Sequence, residues 1–227
     1  METARQVKKL KTPKEALQPI KSGQTVMVGG FGLSGTPITL LYHLLEMPVK
    51  DLTIISNNLG ESNRGLGKLL LNRQIKKAIG SFFTSNRDAI AMWERGEVEL
   101  ELLPQGTLAE AIRAGGAGIG GFYTPTAVGT ELAKGKEERV IDGKRYIFEK
   151  ALKADVALIK AYKADELGNL IYWKTADNFN SIMATAADYV VAQVDEIVPV
   201  GALSPEEIKT PHLYVDALVL NEHLPVE

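Results

Sequence analysis

Thr25-Val26-Met27-Val28-Gly29-Gly30-Phe31-Gly32-Leu33-Ser34-Gly35-Thr36-Pro37 decides how the rest of the chain is read. A short β-branched and apolar run ends in glycines, and an amphipathic segment follows at once. That order spells strand, tight loop and helix start. Thr36 is placed to be the N-cap and Pro37 suits the first helical position, where a missing N–H costs nothing. Four glycines within Gly29–Gly35 let the loop adopt positive φ and leave its amides bare. Bare amides at a helix start suit an anion or a polarised carbonyl oxygen.

Two other readings compete for this stretch. The glycines could serve only as a turn of an α/β unit, though such a turn seldom needs so many. Gly30, Gly32 and Gly35 also match the dinucleotide fingerprint G-x-G-x-x-G. That fingerprint wants an acid roughly 20 residues on, at the end of the next strand. Asp51 has the separation but precedes the next apolar run, Leu52 to Ser56, which ends instead in Asn57-Asn58. The nicotinamide reading is weak on that count.

Outward from the loop, strands and helices alternate. Residues 3 to 21 are helix-prone, divided or restarted at Pro13; residues 37 to 47 form a helix whose leucines face a sheet. His43 lies inside that pattern as an ordinary surface or packing residue. Helix 68–72, strand 75–83 and helix 86–95 follow, and Glu97, Glu99 and Glu101 alternate with apolar residues as the wet face of a strand. Thr107 could cap a helix over 108–114. Residues 115–130 read as a second glycine-rich loop, of a length that usually signals function. Asp142-Gly143 marks a hairpin turn. Strands are expected at 155–161, 170–173, 189–194 and 214–220, a helix over 178–187, and a helix start at Ser204. The pattern implies one α/β domain over 1–227: an open, mostly parallel sheet covered by helices on both faces, with an antiparallel excursion near 137–175.

Ligands of such sheets collect at the carboxyl ends of the strands. The glycine loop, Asn57, Asn58 and Gln105 all fall there. These groups are donors: they can hold a carboxylate or an oxyanion, but none is a nucleophile. Ser34 has no histidine nearby in sequence, and Gly-Leu-Ser-Gly-Thr is not the G-x-S-x-G elbow. Glu61 reads as a solvated loop acid. With no cysteine there is no disulfide and no thiolate, and three scattered histidines show no metal-ligand spacing. The net charge of −2 leaves no electrostatic footprint for nucleic acid. Neither a signal-peptide core nor a membrane-spanning run stands out, so a cytoplasmic protein is expected.

Several motifs, in one order, resemble the A (alpha) subunits of family I CoA-transferases, of the 3-oxoacid and acetate/acetoacetate group. They are Gly29 to Pro37, Ile55-Ser-Asn-Asn58, Gly65-Leu-Gly67, Glu99 to Glu110, Ile112 to Gly118, Gly121-Phe-Tyr-Thr-Pro-Thr126, Ala154 to Lys160, Asp165 to Leu170 and Asn178-Phe-Asn180. The resemblance spans about residues 20 to 220. It implies a partner B subunit, an A2B2 or larger assembly, and acyl-CoA thioesters as substrates without a permanently bound cofactor. It also implies ping-pong transfer through a glutamyl-CoA thioester whose glutamate belongs to the B subunit, leaving no catalytic residue of that kind here. Gly29, Gly30, Phe31, Gly32, Leu33, Ser34 and Gly35 map onto the CoA-binding loop, and Asn57, Asn58 and Gln105 onto the acyl and carboxylate pocket. Residues 59–64 and 84–92 depart from the acetoacetate–succinate pattern and lean partly toward the 3-oxoadipate type. A CoA- or nucleotide-binding module without chemistry of its own is the alternative from another class.

Overall fold

The computed structural model describes residues 9–224. Its centre is β1 (Thr25–Val28), whose Val26 and Val28 point to one face of the sheet while Met27 points to the other. All three are fully buried. A strand sealed on both faces belongs in the middle of a parallel sheet, and β1 sits there.

The chain enters through α1 (Pro13–Leu17), capped by a Thr12–Glu15 box with proline at its start. The stretch 3–8 of the expected N-terminal helix lies outside the described residues. After β1 come α2 (Ile38–Leu45), β2 (Leu52–Ile55), α3 (Leu66–Leu71), β3 (Ile75–Gly80), α4 (Arg87–Glu94) and β4 (Glu99–Leu102). The second half brings α5 (Gln105–Gly116), β5 (Gly121–Thr124), β6 (Glu138–Ile141), β7 (Lys144–Lys150) and β8 (Ala154–Asp165). It ends with β9 (Leu170–Ile171), α6 (Asn180–Met183), β10 (Ala187–Val198) and β11 (Ala217–Leu220). The main sheet runs β11-β10-β8-β1-β2-β3-β4 with every pairing parallel, and β9 lies antiparallel on β8.

Each face has its own core. Leu17, Leu40, Leu44 and Leu69 of the first three helices pack on Val26, Leu52 and Ile54. On the opposite face Leu108, Ile112 and Met183 of α5 and α6 cover Met27, Ile55 and Ile159. Each buried leucine contributes roughly 1.5–3 kcal/mol. The expected open sheet, helices on both faces and antiparallel excursion are all present. The excursion is a separate three-stranded sheet, β5-β7-β6, turned at Asp142-Gly143 where both φ are positive.

Several local expectations are corrected. Pro37, not Thr36, is the N-cap of α2, with no side-chain cap bond. Thr36 turns its hydroxyl back toward the Gly32 carbonyl at 3.4 Å. The orphan amides of α2 are taken by Gln193 of β10, whose Oε1 accepts from Thr39 N at 2.9 Å. That helix start is therefore closed to an outside anion. Likewise α5 begins at Gln105 behind Pro104, so Thr107 is buried inside the first turn rather than capping it.

The loop expected at 115–130 is shorter than it looked: α5 runs through Gly116, and Gly121–Thr124 is β5. Gly115, Gly116 and Gly121 are there for close approach. A Cβ on Gly115 would stand 1.9 Å from the Leu152 carbonyl oxygen, and one on Gly116 would stand 2.1 Å from Thr185 Oγ1. β3 stops at Gly80, α6 covers only Asn180–Met183, and the segment after Ser204 forms turns instead of a helix.

Candidate active site

At the carboxyl end of β1 the chain makes a four-residue hairpin. Phe31 N donates to the Ser34 oxygen at 2.9 Å and Ser34 N to the Phe31 oxygen at 3.1 Å. Gly30, Gly32 and Gly35 carry φ of +125°, +60° and +72°, values that any side chain with a Cβ would resist. Among the described residues, the amides of Gly32 and Leu33 at the tip make no hydrogen bond. These tip amides, with that of Gly35 and not the helix start, are the bare donors of the loop.

Asn178, just before α6, and Asn180, its first residue, hold the loop in this shape. Asn178 Oδ1 accepts from Gly30 N at 3.1 Å, and its Nδ2 donates to the Ser34 oxygen at 3.1 Å. Asn180, fully buried, donates through Nδ2 to the oxygens of Gly35 (2.9 Å) and Ala176 (2.8 Å) and accepts from Lys160 N at 2.8 Å. The fit is tight enough to dictate glycine above it: a Cβ on Gly29 would stand 1.8 Å from Asn180 Oδ1. Reasoning from sequence assigned neither asparagine a role. The available signal was a pair of amides flanking Phe179 just after a turn, and it carries no address for a loop 148 residues away.

Phe31, half exposed, leans over a groove of about 560 Å³ between the hairpin, the start of α5 and α6. Gln105, Ala109, Asn178, Phe179 and Ile182 line it, and Gln105 is exposed at its mouth. The structure thus brings Phe31 and Gln105 to one groove. Asn57 and Asn58 do not line it. They are buried, and their amides are engaged: Asn57 Nδ2 donates to Ser81 Oγ at 2.8 Å and Asn58 Nδ2 to Asn57 Oδ1 at 3.2 Å. Asn58 Oδ1 in turn accepts from Gly60 N at 2.8 Å. Glu61 is not a free loop acid, since Arg64 Nη1 meets its Oε2 at 2.7 Å. His43 pairs with Glu222 at 2.9 Å.

The segment carrying the two asparagines is anchored by Tyr172, whose hydroxyl shares a 2.7 Å hydrogen bond with Thr210 Oγ1. Burial pushes this phenol well above its ordinary range, the Thr210 bond pulls it back slightly, and the nearby Asp177 charge adds to the rise. The folded state therefore keeps a proton that the unfolded chain loses above pH ~10. Stability from this group is present below that pH and falls as pH rises beyond it. Melting temperatures recorded from pH 9 to 11.5 should drop less steeply for Tyr172→Phe than for the wild type; equal slopes would refute the assignment.

Among the described residues no helix is long and apolar enough to cross a membrane. Residues 10–221 match the family described as Coenzyme A transferase. The chain is 51% identical over 213 residues to the A subunit of the probable succinyl-CoA:3-ketoacid coenzyme A transferase of Bacillus subtilis, covering 94% of this chain and 90% of that protein. It is 48% identical over 206 residues to the A subunit of the 3-oxoadipate CoA-transferase of Pseudomonas putida, covering 90% and 89%. The crystal structure of an acyl-CoA transferase from Escherichia coli O157:H7, as a thioester complex with CoA, superposes with a TM-score of 0.83 over 96% of this chain and 48% of that one. At 22% identity that likeness speaks to the fold alone. With the family matched from the segment before α1 to the end of β11 and half of its residues shared with a curated relative, this chain belongs to the coenzyme A transferase family.

Proposed function

We propose that this chain is the A subunit of a 3-oxoacid CoA-transferase, supplying the cradle for a thioester while a B subunit brings the attacking carboxylate. The observation that carries the reading is the groove at the strand ends. It is lined by the amide groups of Gln105 and Asn178 and by apolar side chains, with no carboxylate or other nucleophile among them. Relatives that bear the name of an A subunit support the division of labour.

In this reading the B-subunit glutamate attacks the acyl-CoA carbonyl and displaces the CoA thiolate, leaving an acyl anhydride. The thiolate then attacks the glutamyl carbonyl of that anhydride, releasing the carboxylate and forming a glutamyl-CoA thioester. The incoming 3-oxo acid reverses the sequence. Thioesters and carboxylates exchange with little net free energy, so the demands on the protein are an oxyanion site and exclusion of water from the anhydride. Phe31, Gly32 and Leu33 at the hairpin tip face the thioester, and Gln105 donates to the developing oxyanion or to the acid. Asn57 and Asn58 form the wall behind the acyl group. The assembly is A2B2 or larger, works in the cytoplasm and holds CoA only as substrate.

The test is to mix the purified chain with its B partner and follow CoA exchange between acetoacetyl-CoA and succinate, then with 3-oxoadipate in place of acetoacetate. Exchange by the mixture and by neither chain alone is expected. Failure with every 3-oxo acid would favour a binding module that lacks chemistry. A covalent glutamyl adduct on this chain by itself would place the nucleophile here and refute the proposal.

A further inference from the structure

Asn178 lines the groove, yet its amide has nothing left to offer a ligand. Oδ1 accepts from Gly30 N at 3.1 Å and from the neighbouring Phe179 N at 2.7 Å. Nδ2 donates to the Ser34 oxygen at 3.1 Å and to the Thr175 oxygen at 3.0 Å. A neutral amide has two acceptor sites and two donors, and all four are taken. Gln105 lines the same groove, and among the described residues its amide makes no hydrogen bond. One amide is free for substrate and the other is committed to the protein.

Two of its partners are the two ends of the hairpin: Gly30 precedes Phe31, and Ser34 closes the turn. The unbonded amides of Gly32 and Leu33 lie between them. Glycines at Gly30, Gly32 and Gly35 give the loop many other conformations, so a clamp across both ends decides where the tip amides point. The clamp is itself held in a costly backbone. Asn178 sits at φ +23° and ψ −112°, a conformation that suits glycine and strains a residue with a Cβ. Such strain persists only where the surroundings over-determine it. Here Asn180 fixes the Ala176 and Gly35 oxygens, and Lys209 pairs with Asp177. Glycine would relieve the strain at position 178 but would supply no amide, so the strain is tied to the clamp.

We propose that Asn178 is a positioning residue of the transfer reaction, holding the hairpin so that the amides of Gly32 and Leu33 are aimed at the thioester before it arrives. This rests on the CoA-transferase reading above, which puts the thioester at the hairpin tip. Donors fixed in advance cost no reorganisation as charge develops on the thioester oxygen, whereas donors on a loose loop must be ordered in every turnover. Asn178 touches no reacting atom and acts through the hairpin alone.

The experiment is steady-state kinetics of the assembled A and B subunits, with urea unfolding of the same preparations. Asn178→Gly removes the clamp and relieves the strained φ, so its urea midpoint should stay near that of the wild type. Its kcat should fall about tenfold to 10²-fold, the scale of a misplaced catalytic group, while KM for acetoacetyl-CoA moves less than about threefold. Should that variant fail to assemble, Asn178→Asp makes the same comparison: it keeps the acceptor for Gly30 N but sets a carboxylate oxygen against the Ser34 and Thr175 oxygens. A cycle with Gly32→Ala tests the route. The added methyl meets nothing within 4 Å but must take φ +60°, so it disturbs the tip alone. In the Asn178→Gly background it should cost much less kcat than in the wild type. Losses that simply multiply would mean that Asn178 does not act through the hairpin, and would overturn the proposal. A rise in KM at unchanged kcat would overturn it too, as would a lower midpoint with wild-type turnover by the folded assembly. No transfer by the wild-type pair with any acid refutes the CoA-transferase reading and this inference with it. Transfer by the wild type with unchanged kcat in the variant refutes the inference alone.

Discussion

Gly29→Ala is expected to destabilise the protein by about 3 kcal/mol, since overpacking a rigid site and breaking a buried hydrogen bond each cost roughly 1–3 kcal/mol. The new methyl would land 1.8 Å from Asn180 Oδ1. Asn180 cannot step aside cheaply, because it is fully buried and its amide is bonded to Lys160, Gly35 and Ala176 at once. The measurement is urea unfolding, where a lower midpoint at an unchanged slope reports lost stability. The double variant Gly29→Ala with Asn180→Ala sharpens the test. Truncating Asn180 makes room for the methyl, so the two losses should fall short of additive by about 1 kcal/mol or more. Strict additivity would mean that the clash is relieved elsewhere and that Asn180 is not what forbids a side chain at position 29.

Gln105→Ala is expected to lower kcat of the assembled transferase about 10²-fold or more, the usual consequence of removing one preorganised oxyanion donor. Stability should hardly change, because Gln105 is exposed at the first position of α5 and makes no cap bond there. Paired measurements of turnover and urea midpoint separate the two effects. Wild-type turnover in the variant would remove Gln105 from the reaction. A shifted midpoint with proportionate loss of activity would reduce it to a structural residue.

What could be read without coordinates were the features that local chemistry decides. The unbroken apolar run Val26-Met27-Val28 announces a strand, and Asp142-Gly143 announces a hairpin, because in each case the deciding features lie within a few residues. Thr36 was misread as a cap because its competitor is remote: Gln193, on a strand far along the chain, already satisfies the amides that Thr36 was expected to serve. Gly115, Gly116 and Gly121 mimic a flexible loop in composition. Their glycines answer instead to a carbonyl at residue 152 and side chains at residues 185 and 148. Asn57 and Asn58 were placed correctly at a strand end, but the demands of Ser81 and Gly60 on their amides are invisible in sequence. The groove beneath Phe31 was half legible: Gln105 and the loop were named, and the 178–182 wall opposite them was not.

The pairing of β1 with β8 also orders events in time. A chain emerging from the ribosome holds the glycine stretch, β2, β3 and the helices α1 to α3 well before Asn178 and Asn180 have been translated. Until then the amide of Gly30 lacks the acceptor that holds it. Early folding can build the floor of the cleft, but its roof waits for the closing stage of synthesis, when sequence-distant contacts finally form. A product terminated before residue 178 would carry the glycine stretch without the two side chains that hold its shape.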